Sequence, residues 1–195
     1  GSGAFPLGLL QLLSKLHLRL DPRLDQYKLK LSILQNNIFG ADIEPMAVEI
    51  SRLRSWLSLI VEEKDRKTVE PLPNLDFNFV CANSLMSLES AHLLSDPSLQ
   101  DSLRQLRLEY FTANTQKSKQ KIQEKYFKLT SPDLFDDYDE RAKQLKTFNP
   151  FDSHQVAGFF DPEEMFGVDG GFDIVVGNPP YLGEKGHTKV FEPIK

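Results

Sequence analysis

The sequence predicts an α/β fold built on a doubly wound parallel sheet, and three observations carry that prediction. Residues 37–43, 76–81 and 172–177 are short runs of apolar, β-branched or aromatic side chains with strand character. Helical periodicity occupies the stretches at 7–20 and 45–60. Strands that alternate with helices along one chain become parallel neighbours joined by crossovers.

The elements follow in order. Residues 7–20 read as a helix, with apolar side chains at 9, 10, 12, 13, 16 and 20 and Pro6 at its start; Asp21-Pro22 ends it. The run 37–43 is a strand, and Glu44-Pro45 opens the next helix. There Met46, Ile50, Leu53, Leu57 and Ile60 recur with a 3.6-residue period. A loop carrying Pro71 and Pro73 leads into the strand at 76–81. Residues 84–171 break this rhythm, with a polar helical stretch from about 98 to 129 and then a loop-rich part marked by Pro132, Pro150 and Pro162. Lys117, Lys119, Lys121, Lys125 and Lys128 make its middle locally basic. A solvated helix face is the first reading of that cluster and a DNA-backbone contact the second. The strand at 172–177 then runs into Asn178-Pro179-Pro180-Tyr181. The chain thus divides into residues 1–83, an insertion at 84–171, and a closing strand and turn at 172–195.

Composition excludes several classes. A chain of 195 residues suits one core-forming domain, and 40% hydrophobic with 26% charged residues is ordinary for a globular protein. No apolar run approaches the roughly 18 residues that span a bilayer, so no membrane partner is expected. The first residues do not resemble a signal peptide. The single cysteine, Cys81, has no partner for an internal disulfide, which fits a reducing, cytoplasmic setting. His17, His92, His154 and His187 lack metal-ligand spacing, so no metal is expected. The net charge of −5 argues against a surface that is basic everywhere.

Four short segments carry chemistry. Pro179 and Pro180 stop the last strand and hold a rigid extended turn, which fixes an amide and an aromatic ring at the carboxyl end of the sheet. Open α/β folds bind their ligands at that end. Gly1-Ser2-Gly3-Ala4-Phe5 is a glycine-rich turn ahead of a helix, although Gly1-Ser2 alone is also what a vector-derived tag leaves. Asp42 ends a strand where a carboxylate can accept hydrogen bonds from ribose hydroxyls; Glu44 competes with it but also suits the following helix N-terminus. Asn83-Ser84 follows the next strand, and a plain turn asparagine is the other reading of it.

These segments, in this order, resemble DNA adenine-N6 methyltransferases of the large Type II and IIG restriction–modification systems and related phage-defence methylases. The resemblance extends to Asp42-Ile43-Glu44-Pro45-Met46-Ala47-Val48, Leu53-Arg54-Ser55-Trp56-Leu57, Leu72-Pro73-Asn74-Leu75, Gly170-Gly171-Phe172-Asp173 and Gly183-Glu184-Lys185-Gly186-His187. It implies a sheet of the S-adenosylmethionine-dependent methyltransferase type, with residues 1–83 binding the cofactor and 172–195 catalytic. Gly1, Gly3, Ala4 and Phe5 would make room for the methionine part of S-adenosylmethionine. Asp42 would hold the ribose, Ile43 would lie against the adenine, and Asn83, with Ser84 beside it, would bind the adenine's exocyclic amine. The side-chain oxygen of Asn178 and the carbonyl of Pro179 would accept hydrogen bonds from the target amine, raising the nucleophilicity of a nitrogen whose lone pair is delocalised into its ring. Pro180 would hold that geometry, and Tyr181 would stack on an adenine flipped out of double-stranded DNA. No general base is needed, because the amine gains acidity as it is methylated. The resemblance further implies a prokaryotic cytoplasmic enzyme with a target-recognition domain elsewhere in a full-length chain, and leaves open an endonuclease domain.

One departure stands out. In the family a first strand and an acidic residue precede the glycine loop, and that strand lies at the centre of the sheet, between the second and fourth. Its absence here predicts a gap in the ladder with exposed apolar edges, and a piece that is inactive and folds poorly by itself. Two other readings keep part of this picture. A protein-glutamine or RNA amino-methyltransferase uses the same turn, but the insertion at 84–171 favours DNA. A non-catalytic DNA-binding relic is the other, against which Asn178 and Tyr181 are intact.

Overall fold

The computed structural model describes residues 3–62, 73–89, 97–130 and 140–178. Helix α1 (Ala4–Leu20) starts from Gly3 in the left-handed region, and α2 (Gln26–Asn36) starts from Asp25, whose carboxylate accepts the Lys28 N–H at 2.9 Å. Strand β1 (Gly40–Asp42) leads into α3 (Pro45–Ile60), and β2 (Phe79–Cys81) follows. The insertion supplies α4 (Pro97–Phe111), α5 (Gln116–Leu129), α6 (Glu140–Leu145) and α7 (Pro162–Phe166).

The chain is α/β, with a parallel two-stranded sheet among the described residues. Its register pairs Gly40 with Phe79, Ala41 with Val80 and Asp42 with Cys81. Beyond β2 the pairing continues as isolated parallel bridges, Ala82 with Ala157 and Ser87 with Phe160, so residues 157–160 run beside 82–87. Three apolar cores surround this frame. One joins α1, α2 and α3 to β2 through Leu10, Ile33, Leu34, Val48, Leu59 and Phe79. A second packs Val80 and Ala82 against Ala157, Phe159, Met165 and Phe166. The third is aromatic and holds the α4–α5 hairpin, with Phe77, Tyr110, Tyr126 and Phe151 meeting at ring-centroid distances of 5.0–5.6 Å.

Three expectations need correction. Helix α2 has no counterpart in the sequence reading, because Lys30 interrupts its apolar pattern. In the structure Lys30 is nonetheless buried, with its ammonium on the Glu62 carboxylate. The stripe on α3 identified the helix but is not its buried face. Ala47, Val48, Ser51, Arg52, Ser55 and Leu59 face inward, while Met46, Leu53, Leu57 and Ile60 are 69, 51, 50 and 42% exposed. The run at 172–177 is not a strand among the described residues: it makes no backbone hydrogen bond, and Ile174 and Val175 are 71 and 80% exposed. A strand exists only through ladder partners, and β1 pairs with β2 along one edge only. Among the described residues the expected doubly wound sheet is therefore reduced to two parallel strands.

Candidate active site

The site forms where two parallel strands end together. Asp42 closes β1 opposite Cys81, and its carbonyl accepts the Ala82 N–H at 3.0 Å, so the chain after β2 leaves directly beside Asp42. Its carboxylate accepts the Glu44 N–H at 3.0 Å, which turns the backbone sharply into α3. Glu44 occupies the N-cap position of α3 without a side-chain capping bond. Glu44 thus stands at the helix N-terminus as expected, with its carboxylate exposed, while the side-chain bond that closes the turn is accepted by Asp42. Ile43 projects from the same turn, 54% exposed, as an apolar wall beside the strand ends.

Asn83 lies on the next turn. Its N–H bonds the Ala157 carbonyl at 2.9 Å, and its Oδ1 accepts the Leu85 N–H at 3.2 Å. The turn role is thus real, yet it uses one of the two lone pairs on that oxygen. Ser84 follows, exposed. Cys81 sits beneath, its thiol on the Ile43 carbonyl at 3.5 Å; burial first, then the Asp42 and Glu44 carboxylates, push it up, so it stays a protonated packing group.

The glycine turn reaches the site's flank through α1. At Gly3 (φ 75°) a Cβ would stand 2.9 Å from the Ser51 Cα on α3, so only glycine lets α1 start this close to α3. Ala4 and Phe5 open α1 and are exposed; Gly1 lies outside the described residues. Toward the other end of the chain, Phe172 packs on Phe39 and Phe166 with centroids 6.0 Å apart, which anchors the start of the last run beside the residue preceding β1. Asn178 is exposed at its end, and Pro179, Pro180 and Tyr181 lie outside the described residues. The structure therefore joins Asp42, Ile43, Asn83 and Ser84, places Gly3, Ala4 and Phe5 at the head of the neighbouring helix, and links none of them to Asn178 by a hydrogen bond. Among the described residues no group of three His, Cys, Asp or Glu side chains is placed to hold a metal, and no helix is long and apolar enough to cross a membrane.

Several supporting residues escaped the sequence reading. Arg52 is buried under the strands, donating to the Phe79 carbonyl at 2.6 Å and pairing with Asp76 at 3.3 Å and Glu49 at 3.0 Å. Trp56 Nε1 donates to the Pro73 carbonyl at 2.8 Å, joining two of the segments that carried the resemblance. Asn78 ties β2 to the end of α2 through the Leu34 carbonyl at 2.8 Å, and Asn74 ties it to α4 through the Tyr110 carbonyl at 2.7 Å. Only the polar character of Asn74 and Asn78 amid apolar neighbours could have signalled this. A buried amide must spend its donors on backbone.

The described residues thus place an acidic residue, Asp42, and an amide, Asn83, side by side where two parallel strands end. Residues 36–194 match the Eco57I restriction-modification methylase family, and the chain belongs to it. A protein of Methanocaldococcus jannaschii, whose name describes a type II restriction enzyme and methyltransferase, is 38% identical over 122 residues, which is 58% of this chain and 9% of that protein. The chain thus spans about a tenth of this curated relative. No solved structure matches it.

Proposed function

We propose that this chain is the cofactor-binding and catalytic part of a restriction–modification enzyme that methylates adenine N6 in double-stranded DNA using S-adenosylmethionine. The observation that carries the reading is the Asn178-Pro179-Pro180-Tyr181 turn, preceded in the same chain by a polar residue at the end of each of two adjacent parallel strands, within a family of restriction-modification methylases.

Each residue has a task suited to its chemistry. Asp42 accepts hydrogen bonds from the ribose hydroxyls, with Ile43 against the cofactor adenine and the second lone pair of Asn83 Oδ1 for its amine. Gly3, Ala4 and Phe5 leave space for the methionine portion, with Gly1 ahead of them and Ser84 beside Asn83. Bound S-adenosylmethionine supplies an electrophilic sulfonium methyl. Asn178 Oδ1 and the Pro179 carbonyl hold the target amine by its two N–H groups, Pro180 keeps the two acceptors in a fixed relation, and Tyr181 stacks on the flipped base. A target-recognition domain in the full-length protein would choose the sequence.

The test is methyl transfer from labelled S-adenosylmethionine to mixed-sequence duplex by the full-length protein, with the product nucleoside identified by mass. N6-methyladenine is expected from the wild type, and from Asn178→Ala at a rate lower by about 10²–10³-fold. Cofactor binding with label appearing only in protein or RNA would overturn the choice of substrate.

A further inference from the structure

We infer that the exposed lysine row on α5 is a contact surface for the phosphate backbone of duplex DNA; the inference rests on the DNA-methylation reading above. Helix α5 cannot roll. Its first turn is closed by Thr115 and Ser118, each side chain bonding the other's backbone N–H at 3.1 and 3.3 Å, and its Ile122 and Tyr126 are buried against α4 and Phe77. With the rotation fixed, Lys117, Lys121, Lys125 and Lys128 fall on one exposed face at steps of four, four and three residues. At the helical rise this row is about 16 Å long.

None of these four ammonium groups bonds or pairs with a described residue. Glu124 on the same helix, and Asp101 and Glu109 across the shallow groove lined by Lys125 and Lys128, are the nearby acids. A merely solvated helix would interleave opposite charges at four-residue steps. This one repeats like charges at 117, 121 and 125, an unfavourable spacing, with Glu124 four residues before Lys128 as its acid in the row. Residues 97–130 hold seven Lys or Arg against three Asp or Glu, a net of +4 inside a chain of net −5. Positive charge is therefore concentrated on the hairpin.

The partner's chemistry follows from what surrounds the row. An amphipathic membrane helix needs a broad exposed apolar face, and on α5 Ile122 and Tyr126 are consumed by the hairpin core, leaving a single large apolar side chain, Phe127, half exposed. A straight file of flexible point charges, without an arginine fork, suits an extended line of phosphates and reads no bases. Duplex DNA presents about one negative charge per 1.7 Å of axis, both strands counted, so a row about 16 Å long spans several phosphates.

The experiment compares full-length wild type with Lys117→Gln/Lys121→Gln/Lys125→Gln/Lys128→Gln and with the matching four-arginine variant. Duplex affinity is measured from about 50 to 200 mM salt, on one duplex that is methylated by the wild type and one that is not. The glutamine variant should show a log–log salt slope shallower by about 3 to 4, weaken both duplexes alike, and keep the wild-type rate at saturating DNA; the arginine variant should keep the wild-type slope. An unchanged slope in the glutamine variant, beside a wild type that binds and methylates DNA, overturns the inference and leaves the proposed function standing. Loss of binding to phosphatidylserine vesicles with duplex affinity untouched also overturns it. A wild type that neither binds nor methylates duplex overturns both.

Discussion

The α4–α5 hairpin and the α1–α3 pair are made from the same kind of amphipathic helix, yet they meet opposite fates. The hairpin buries its apolar side chains against each other and against Phe77 and Phe151, leaving Leu108 and Phe127 as its exposed large apolar residues. Helices α1 and α3 bury one face in the first core and present a second apolar face outward: Phe5, Leu12, Leu16 and Leu20 on one, Met46, Leu53, Leu57 and Ile60 on the other. Beside them β1 has one edge without a strand partner among the described residues, and residues 174–176 are exposed. The hairpin closes its apolar face with the help of Phe77 from outside the insertion, whereas α1 and α3 leave apolar surface without partners among the described residues. An exposed apolar patch of this kind marks a surface made for another element.

The largest expected effect tests which half does chemistry. Asn178→Ala in the full-length enzyme should lower the methyl-transfer rate by about 10²–10³-fold, the loss typical of one preorganised hydrogen-bonding group in a transition state. Because Asn178 is exposed and makes no hydrogen bond here, its thermal unfolding should be unchanged. Asp42→Asn should act differently, weakening S-adenosylmethionine binding by about 10- to 100-fold with little effect on the rate at saturation. Equal losses in rate and binding for both variants would show that the two residues are not dividing the work.

Phe77→Ala probes the core that holds the hairpin to the segment before β2. Its ring meets Tyr110 at 5.6 Å and Phe151 at 5.2 Å, both edge-on, so removal should cost about 3–5 kcal/mol by chemical denaturation. The two faces of α3 give an internal control. Leu59→Ala, at a fully buried side chain, should cost about 2–5 kcal/mol, and Leu57→Ala, half exposed two residues earlier, under about 1 kcal/mol. A cost for Leu57→Ala that rises to match Leu59→Ala in the full-length protein would identify α3's outer stripe as covered there.

The same comparison explains what was legible in the sequence. Strand ends, helix starts and the polar residues beside them follow local rules, so Asp42, Asn83 and α3 were found with nearly correct boundaries. Helix α2 was hidden because its buried face includes Lys30, whose partner Glu62 is 32 residues away. The inward face of α3 was misjudged because Ser51, Arg52 and Ser55 are buried through bonds that periodicity does not register: both serines donate to carbonyls one turn back, and Arg52 to Phe79. The strand at 172–177 was read correctly as apolar, but strand formation belongs to a pair of segments and not to one. The aromatic centre of the hairpin was invisible because Phe77 and Phe151 are far apart in sequence.

The smallest effect concerns how tightly the hairpin is held. Arg107 on α4 donates to the Glu164 carbonyl at 2.6 Å on α7, and the Glu164 side chain pairs with Arg141 at 2.7 Å, so Glu164 sits where the hairpin joins the rest of the chain. Burial, the largest cause, raises its pKa above the ordinary 4.5; Arg141 opposes this and Asp161 adds to it. The folded state therefore binds that proton more tightly than the unfolded chain does. The stability it contributes is fully present below pH 4.5 and is lost as pH rises from there through the raised folded value, after which it is flat. Asp76 beside Arg52 and Tyr110 is shifted upward by burial too, so both junctions favour mild acid in the same sense. Glu164→Gln keeps the shape and removes one titration. Subtracting its stability curve from that of the wild type across pH 4–8 should leave a difference that changes only in the window above 4.5, with the wild type losing ground as pH rises. Hydrogen exchange should locate the change in the amides of α4 and α7. A flat difference would mean that Arg141 dominates and that the junction does not sense pH through Glu164.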